Sequence, residues 1–118
     1  MKTRVIGVSA DETEAGLSAA VGTLLGAMAE RLGARPETIG ADRAIDVDDR
    51  QVGTGYGVPT DASIEALELV ARSEGILLDP VYTAKAMAGL IARVRAGAFS
   101  ADDTVLFWHT GGQVGFFA

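Results

Sequence analysis

The sequence predicts an α/β fold: an open, mostly parallel sheet in three layers, of which this chain holds a part. Three observations lead there. Short apolar runs rich in β-branched residues, at residues 4–8, 76–78 and 105–108, alternate with stretches whose apolar residues recur at helical spacing. Cap residues and glycines punctuate the boundaries between them. At 118 residues the chain suits one lobe and one core, so the expected unit is a single α/β domain over residues 1–118.

The elements follow in order. Residues 4–8 (Arg-Val-Ile-Gly-Val) read as a strand buried on both faces. Asp11 and, three residues later, Glu14 form a cap pair for a helix over residues 12–32, with Leu17, Val21, Leu24, Leu25, Met28 and Leu32 along one face and Gly33 at its end. In residues 34–52, Ile45 and Val47 alternate with acids, as in an exposed edge strand. Thr60 caps a second helix over residues 61–73, carrying Ile64, Leu67, Leu69 and Val70, and Gly75 stops it. Residues 76–78 are a short buried strand. Asp79-Pro80 opens a third helix, with Pro80 in its first turn, Met87, Leu90, Ile91 and Val94 inward and Gly97 as terminator. Residues 105–108 are the last strand. The alternation favours parallel neighbours and right-handed crossovers, and ligands in such sheets sit beyond the carboxyl ends of the strands. Residues 79–83 and 109–112 are therefore expected on one side together.

Composition narrows the function. A net charge of −6 without a basic stripe argues against nucleic acid. With no cysteine and one histidine, disulfides and Cys- or His-based metal centres are excluded, and no metal site is expected. Neither a signal peptide nor a membrane-length apolar run is visible, so the expected location is cytoplasmic, with no membrane partner.

The chemistry-bearing residues gather at loop-to-helix junctions. Tyr56 lies between two glycines and ahead of Pro59, which makes a turn that either presents the ring to a cleft or lays it over a core edge. Tyr82 stands at the start of the third helix, beyond a strand, where it either packs or faces a ligand. Thr83 and Thr110 are hydroxyls that either cap backbone or touch a ligand. Gly111-Gly112 could form an anion-binding turn, although two glycines alone do not specify one. His109 reads as a strand-end histidine before a catalytic base. Lys85, three residues after Tyr82, invites a Schiff-base reading.

Together, residues 53–60 (Gly-Thr-Gly-Tyr-Gly-Val-Pro-Thr), 77–87 (Leu-Leu-Asp-Pro-Val-Tyr-Thr-Ala-Lys-Ala-Met) and 109–112 (His-Thr-Gly-Gly) resemble the C-terminal part of the fold-type-II pyridoxal 5'-phosphate (PLP) enzymes of the D-cysteine desulfhydrase and 1-aminocyclopropane-1-carboxylate (ACC) deaminase family. The resemblance runs from about residue 4 onward and is dense from Gly53. It implies that Tyr56 and Tyr82 are catalytic tyrosines beside the substrate, and that Tyr82, Thr83 and Thr110 contact the cofactor. Thr83 and Thr110 match the desulfhydrase branch; the deaminase branch carries glutamate and leucine at these places. A hydroxyl beside the pyridine nitrogen gives a weaker electron sink than a carboxylate would, which suits β-elimination better than ring opening. Ala84, where the family usually has glycine, and Gln113-Val114-Gly115 depart from the pattern.

The resemblance also implies that the Schiff-base lysine is not Lys85, because the family has a lysine here in addition to its cofactor-bearing one. That lysine and the glycine-rich phosphate loop belong to an upstream region. The resemblance thus makes residues 1–118 a single incomplete α/β domain, a desulfhydrase-like portion acting on a small amino acid that is expected to be inactive until an upstream polypeptide or a homo-oligomeric partner completes it. The alternatives are the deaminase branch and a non-catalytic α/β fragment or interaction module.

Overall fold

A computed structural model describes residues 3–40 and 46–112. Five elements carry the fold: strand β1 (Ile6–Val8), helix α1 (Glu14–Leu32), strand β2 (Asp46–Asp48), helix α2 (Asp61–Glu74) and helix α3 (Thr83–Arg95). A single 3₁₀ turn at Pro36–Thr38 follows α1. The two strands pair in parallel, with Ile6 opposite Asp46, Gly7 opposite Val47 and Val8 opposite Asp48. Ser9 N–H extends the ladder onto Asp48 C=O at 2.8 Å. The α/β class and the parallel pairing are as the sequence predicts.

Helix α1 packs on β2, α3 on β1, and α2 on α3. Gly89 makes the α3–β1 contact possible: a Cβ there would stand 3.0 Å from both methyls of Val8, so the bare backbone sets how closely the helix approaches the strand. Across the helix pair, Arg95 grips the Glu65 carboxylate with two N–H groups, at 2.6 and 3.0 Å. Val70, Leu78 and Ala84 form the core, flanked by Leu67, Met87 and Phe107.

Several elements differ from expectation, each for a local reason. Thr13, not the Asp11–Glu14 pair, caps α1, its hydroxyl accepting from Gly16 N–H at 3.2 Å. The Glu14 N–H is taken instead by Asp49 Oδ2 at 2.8 Å. The α2 cap is as expected: Thr60 and Ser63 bond reciprocally in a capping box, and Gly75 closes the helix in the left-handed region. Helix α3 begins at Thr83, and Asp79-Pro80 lies in the turn ahead of it. Val47 and Asp48 are buried rather than exposed, because α1 packs on β2 and Arg93 of α3 reaches Asp48, while Ile45 lies outside the described residues.

The larger correction concerns the apolar strands. Residues 76–78 and 105–108 form no ladder, and of these only Leu78 is fully buried; Leu106 and Trp108 are 79% and 78% exposed. A strand in a parallel sheet needs a neighbouring strand to bond its N–H and C=O groups, and among the described residues these segments pair with no strand. The apolar face of α1 is open too, with Leu24 68% and Leu32 66% exposed. The same reason leaves β1 only half-buried.

The surface reflects this. A compact monomer of 12.2 kDa exposes about 6,000 Å², whereas this chain exposes 8403 Å². Its radius of gyration is 15.8 Å, against about 13.5 Å for a compact domain of this length. No helix among the described residues is long and apolar enough to cross a membrane.

Candidate functional site

The start of α3 is organised by one carboxylate. Pro80 lacks an N–H, and the three that follow turn back to Asp79: Val81 and Tyr82 donate to Oδ2 at 2.9 and 2.8 Å, and Thr83 N–H to Oδ1 at 2.9 Å. The Thr83 hydroxyl also donates to Oδ1 at 2.7 Å, and it accepts from Asp79 N–H at 2.8 Å. Burial acts to raise the Asp79 pKa, but the hydroxyl and the three backbone donors outweigh it and hold the group below its ordinary value. Asp79 is thus a charged cap that fixes the backbone carrying Tyr82.

This arrangement decides what Thr83 can offer. A hydroxyl has one hydrogen and two lone pairs. The hydrogen and one lone pair are committed to Asp79, and the residue is buried, so Thr83 has no donor hydrogen to give and keeps only one lone pair. Thr110 is exposed, and its hydroxyl bonds to none of the described residues.

Tyr56 and Tyr82 come from separate loops, yet their hydroxyls are hydrogen-bonded to each other. The ring centroids are 5.8 Å apart and tilted by 57°. The hydrogen bond shared with Tyr56 is the main cause that raises the Tyr82 phenol above its ordinary value; partial burial and the nearby charges of Tyr56, Asp11 and Asp79 act in the same direction. Tyr82 is therefore a neutral phenol at physiological pH, a proton holder rather than a phenolate base.

The turn after residue 108 meets the start of α3. His109 Nε2–H donates to Leu77 C=O at 3.0 Å, and Nδ1 accepts from Gly111 N–H at 3.1 Å. Both ring nitrogens are occupied by backbone, which fixes the tautomer and makes His109 a loop fastener rather than a base. Gly112 (φ 96°) lies against Asp79, where a Cβ would overlap the carboxylate and come within 2.7 Å of Asp79 Cβ. Residues 79–83 and 109–112 thus share one side, as expected, with Tyr56 joined to them through Tyr82.

Lys85 is not available as a nucleophile. Its side chain is completely buried and donates to the carbonyls of Val52 at 2.8 Å, Gly55 at 3.1 Å and Ala10 at 3.2 Å. Sequence reasoning set Lys85 aside on resemblance alone; the geometry gives the physical reason. It missed Asp79 as the organiser of the site, although an aspartate just ahead of Pro80 and four residues before a threonine is a readable cap signal. It also missed Asp48, whose partners are distant in sequence.

Comparison with known proteins follows the same lines. The pyridoxal-phosphate dependent enzyme family matches residues 1–111. The D-cysteine desulfhydrase of Salmonella typhi is 58% identical over 64 residues, which is 54% of this chain and 20% of the relative. The enzyme of the same name from Salmonella newport (strain SL254) matches equally, at 58% over 64 residues. A crystal structure of an ACC deaminase homologue superposes with a TM-score of 0.78 at 30% identity, covering 93% of this chain and 31% of that one. The chain therefore spans about a fifth of the length of the curated relatives it matches.

Proposed function

We propose, from the premise that this chain belongs to the pyridoxal-phosphate dependent enzymes, that it forms the tyrosine-and-threonine wall of a D-cysteine desulfhydrase-type active site. The observation that carries the reading is the convergence of Tyr56, Tyr82 and the Thr110 turn on the Asp79 cap. Two phenols and a hydroxyl, at loops otherwise held by backbone bonds, are a donor set suited to a planar heteroaromatic ring and a small amino acid.

In this reading Tyr82, Thr110 and Thr83 would hold PLP, Tyr82 by its ring, Thr110 as a hydroxyl donor and Thr83 as an acceptor. Bound there, PLP supplies the electron sink for β-elimination, which converts D-cysteine and water to pyruvate, hydrogen sulfide and ammonia. The residues of this chain hold and move protons. Because Tyr56 and Tyr82 bond to each other, one of their two hydroxyl hydrogens is used within the pair and the other is left for the substrate. The pair is a proton donor at Oη, fitted to a departing sulfide.

The covalent lysine comes from elsewhere in this reading, since Lys85 spends its three N–H groups on carbonyls. A polypeptide bearing that lysine and the phosphate loop covers the open apolar surface and completes the site. The test is to supply this region from a D-cysteine desulfhydrase, fused or as a second chain, and to measure keto-acid release. We expect activity on D-cysteine above that on the cyclopropane amino acid, and neither keto-acid release nor a lysine-linked cofactor absorbance from this chain with PLP alone. A borohydride-fixed PLP adduct on Lys85 with turnover, or equal rates on the two substrates, would refute it.

A further inference from the structure

We infer that Lys85 is a positioning residue whose buried ammonium holds the peptide ahead of Tyr56 and thereby sets the Tyr56–Tyr82 hydroxyl pair. The ammonium has three N–H donors, and each meets a different backbone carbonyl: Val52 and Gly55, between β2 and α2, and Ala10, between β1 and α1. The Gly55 carbonyl belongs to the very peptide whose nitrogen is that of Tyr56. Lys85 itself stands on α3 less than one turn past Tyr82, so one side chain spans from the helix that carries the second tyrosine to the loop that carries the first.

Within the loop Tyr56 is held only by a long bond, Val58 N–H to Gly55 C=O at 3.4 Å. Gly53, Gly55 and Gly57 all have positive φ, at 70°, 153° and 72°, and each brings the conformational freedom that makes such a loop costly to order. An anchor from outside is required. The anchor is expensive: among the described residues Lys85 makes no ion pair, and a fully buried ammonium bonded to neutral carbonyls gives up its hydration. Packing alone would be served better by methionine at this place in α3. What the ammonium adds is direction, drawing two loops onto one point beside the site.

The inference rests on reading Tyr56 and Tyr82 as one site, but its test involves no cofactor. Failure would leave the PLP assignment intact, and failure of that assignment would leave the clamp intact. Tyr56 and Tyr82 are the only tyrosines in the chain, so an ultraviolet tyrosinate titration reads this pair alone. In the unsubstituted chain Tyr82 ionises above the ordinary phenol value. In Lys85→Met, which keeps the stem and removes the ammonium, its ionisation falls back to that value; Lys85→Arg, whose planar fork does not converge on three carbonyls, moves it the same way. If both variants fail to fold, isotope-labelled lysine in the unsubstituted chain decides. A slowly exchanging Lys85 ammonium with proton contacts to Gly55 and Tyr56 supports the clamp, and one that exchanges as fast as free lysine in the same buffer overturns it. A folded variant with an unchanged tyrosine titration overturns it as well.

Discussion

Replacing Asp48 with asparagine should cost about 2 kcal/mol at neutral pH, and the cost should vanish in acid. The Asp48 side chain is 1% exposed and joins β2 to two arginines. Arg50 binds it in a fork, Nε to Oδ1 at 2.8 Å and a terminal nitrogen to Oδ2 at 2.5 Å, while Arg93 reaches across from α3 to Oδ2 at 3.0 Å. The hydrogen bond from Arg50 is the largest influence on its pKa; burial opposes it, and the Arg50 N–H and the charges of both arginines reinforce it, lowering the value from 3.8 to about 2. At about 1.4 kcal/mol per tenfold change in proton affinity, that difference is worth about 2 kcal/mol. The exposure of Arg50 lets salt trim this figure.

The sign follows from the depressed value. With the folded pKa below the unfolded one, the contribution is complete above pH 4 or so, fades as pH falls from 3.8 toward about 2, and is gone below both. Urea unfolding of the parent and Asp48→Asn chains, followed by circular dichroism at matched concentration from neutral to acid, gives the difference directly. A gap between the two that does not change with pH would refute the ionic account and leave only shape and hydrogen bonding.

Two further outcomes are expected. In the completed enzyme, Tyr82→Phe should lower turnover by about 10²-fold or more while changing PLP affinity little, because the substitution breaks up the hydroxyl pair proposed as the proton donor; wild-type turnover would make Tyr82 a wall residue. The chain by itself should self-associate through its open apolar surface, so that unfolding midpoints rise with concentration. Sedimentation as a monomer with a sharp, concentration-independent transition would show a self-sufficient domain instead.

Local signals were legible and non-local ones were not. Thr60 and Gly75 bracket α2 because both ends are set by backbone and side chains within a few residues, and the same holds for Gly33 at the end of α1. At the start of α1, two adjacent cap signals competed, and Thr13 prevailed because Asp49, 35 residues on, takes the Glu14 N–H. Residues 76–78 and 105–108 carry strand-like composition, but composition states only what a segment does once it has neighbours. The site shows the same division. Tyr56 and Tyr82 stand out by their glycine and helix-start settings, whereas the Lys85 bonds span 30, 33 and 75 residues and leave no periodic trace.

The distribution of buried groups bears on what this chain contributes. Its buried apolar residues are mostly small, with Ala29, Ala66, Ala84 and Ala88 beside Val47, Val70 and Leu78, while Ser9, Asp48, Ser63, Asp79, Thr83 and Lys85 are buried with them. Large leucines of α1 and Trp108 face outward. A domain that stabilised itself by hydrophobic burial would show the reverse. Yet every buried side-chain nitrogen and oxygen among the described residues has a hydrogen-bond partner, and most of those bonds fasten the turns after β1 and β2 or the start of α3. The interior of this chain therefore acts chiefly to fix loop geometry around the two tyrosines. The open leucine and tryptophan surface is apolar area that this chain leaves in water, and it is the surface that the proposed completing polypeptide would cover.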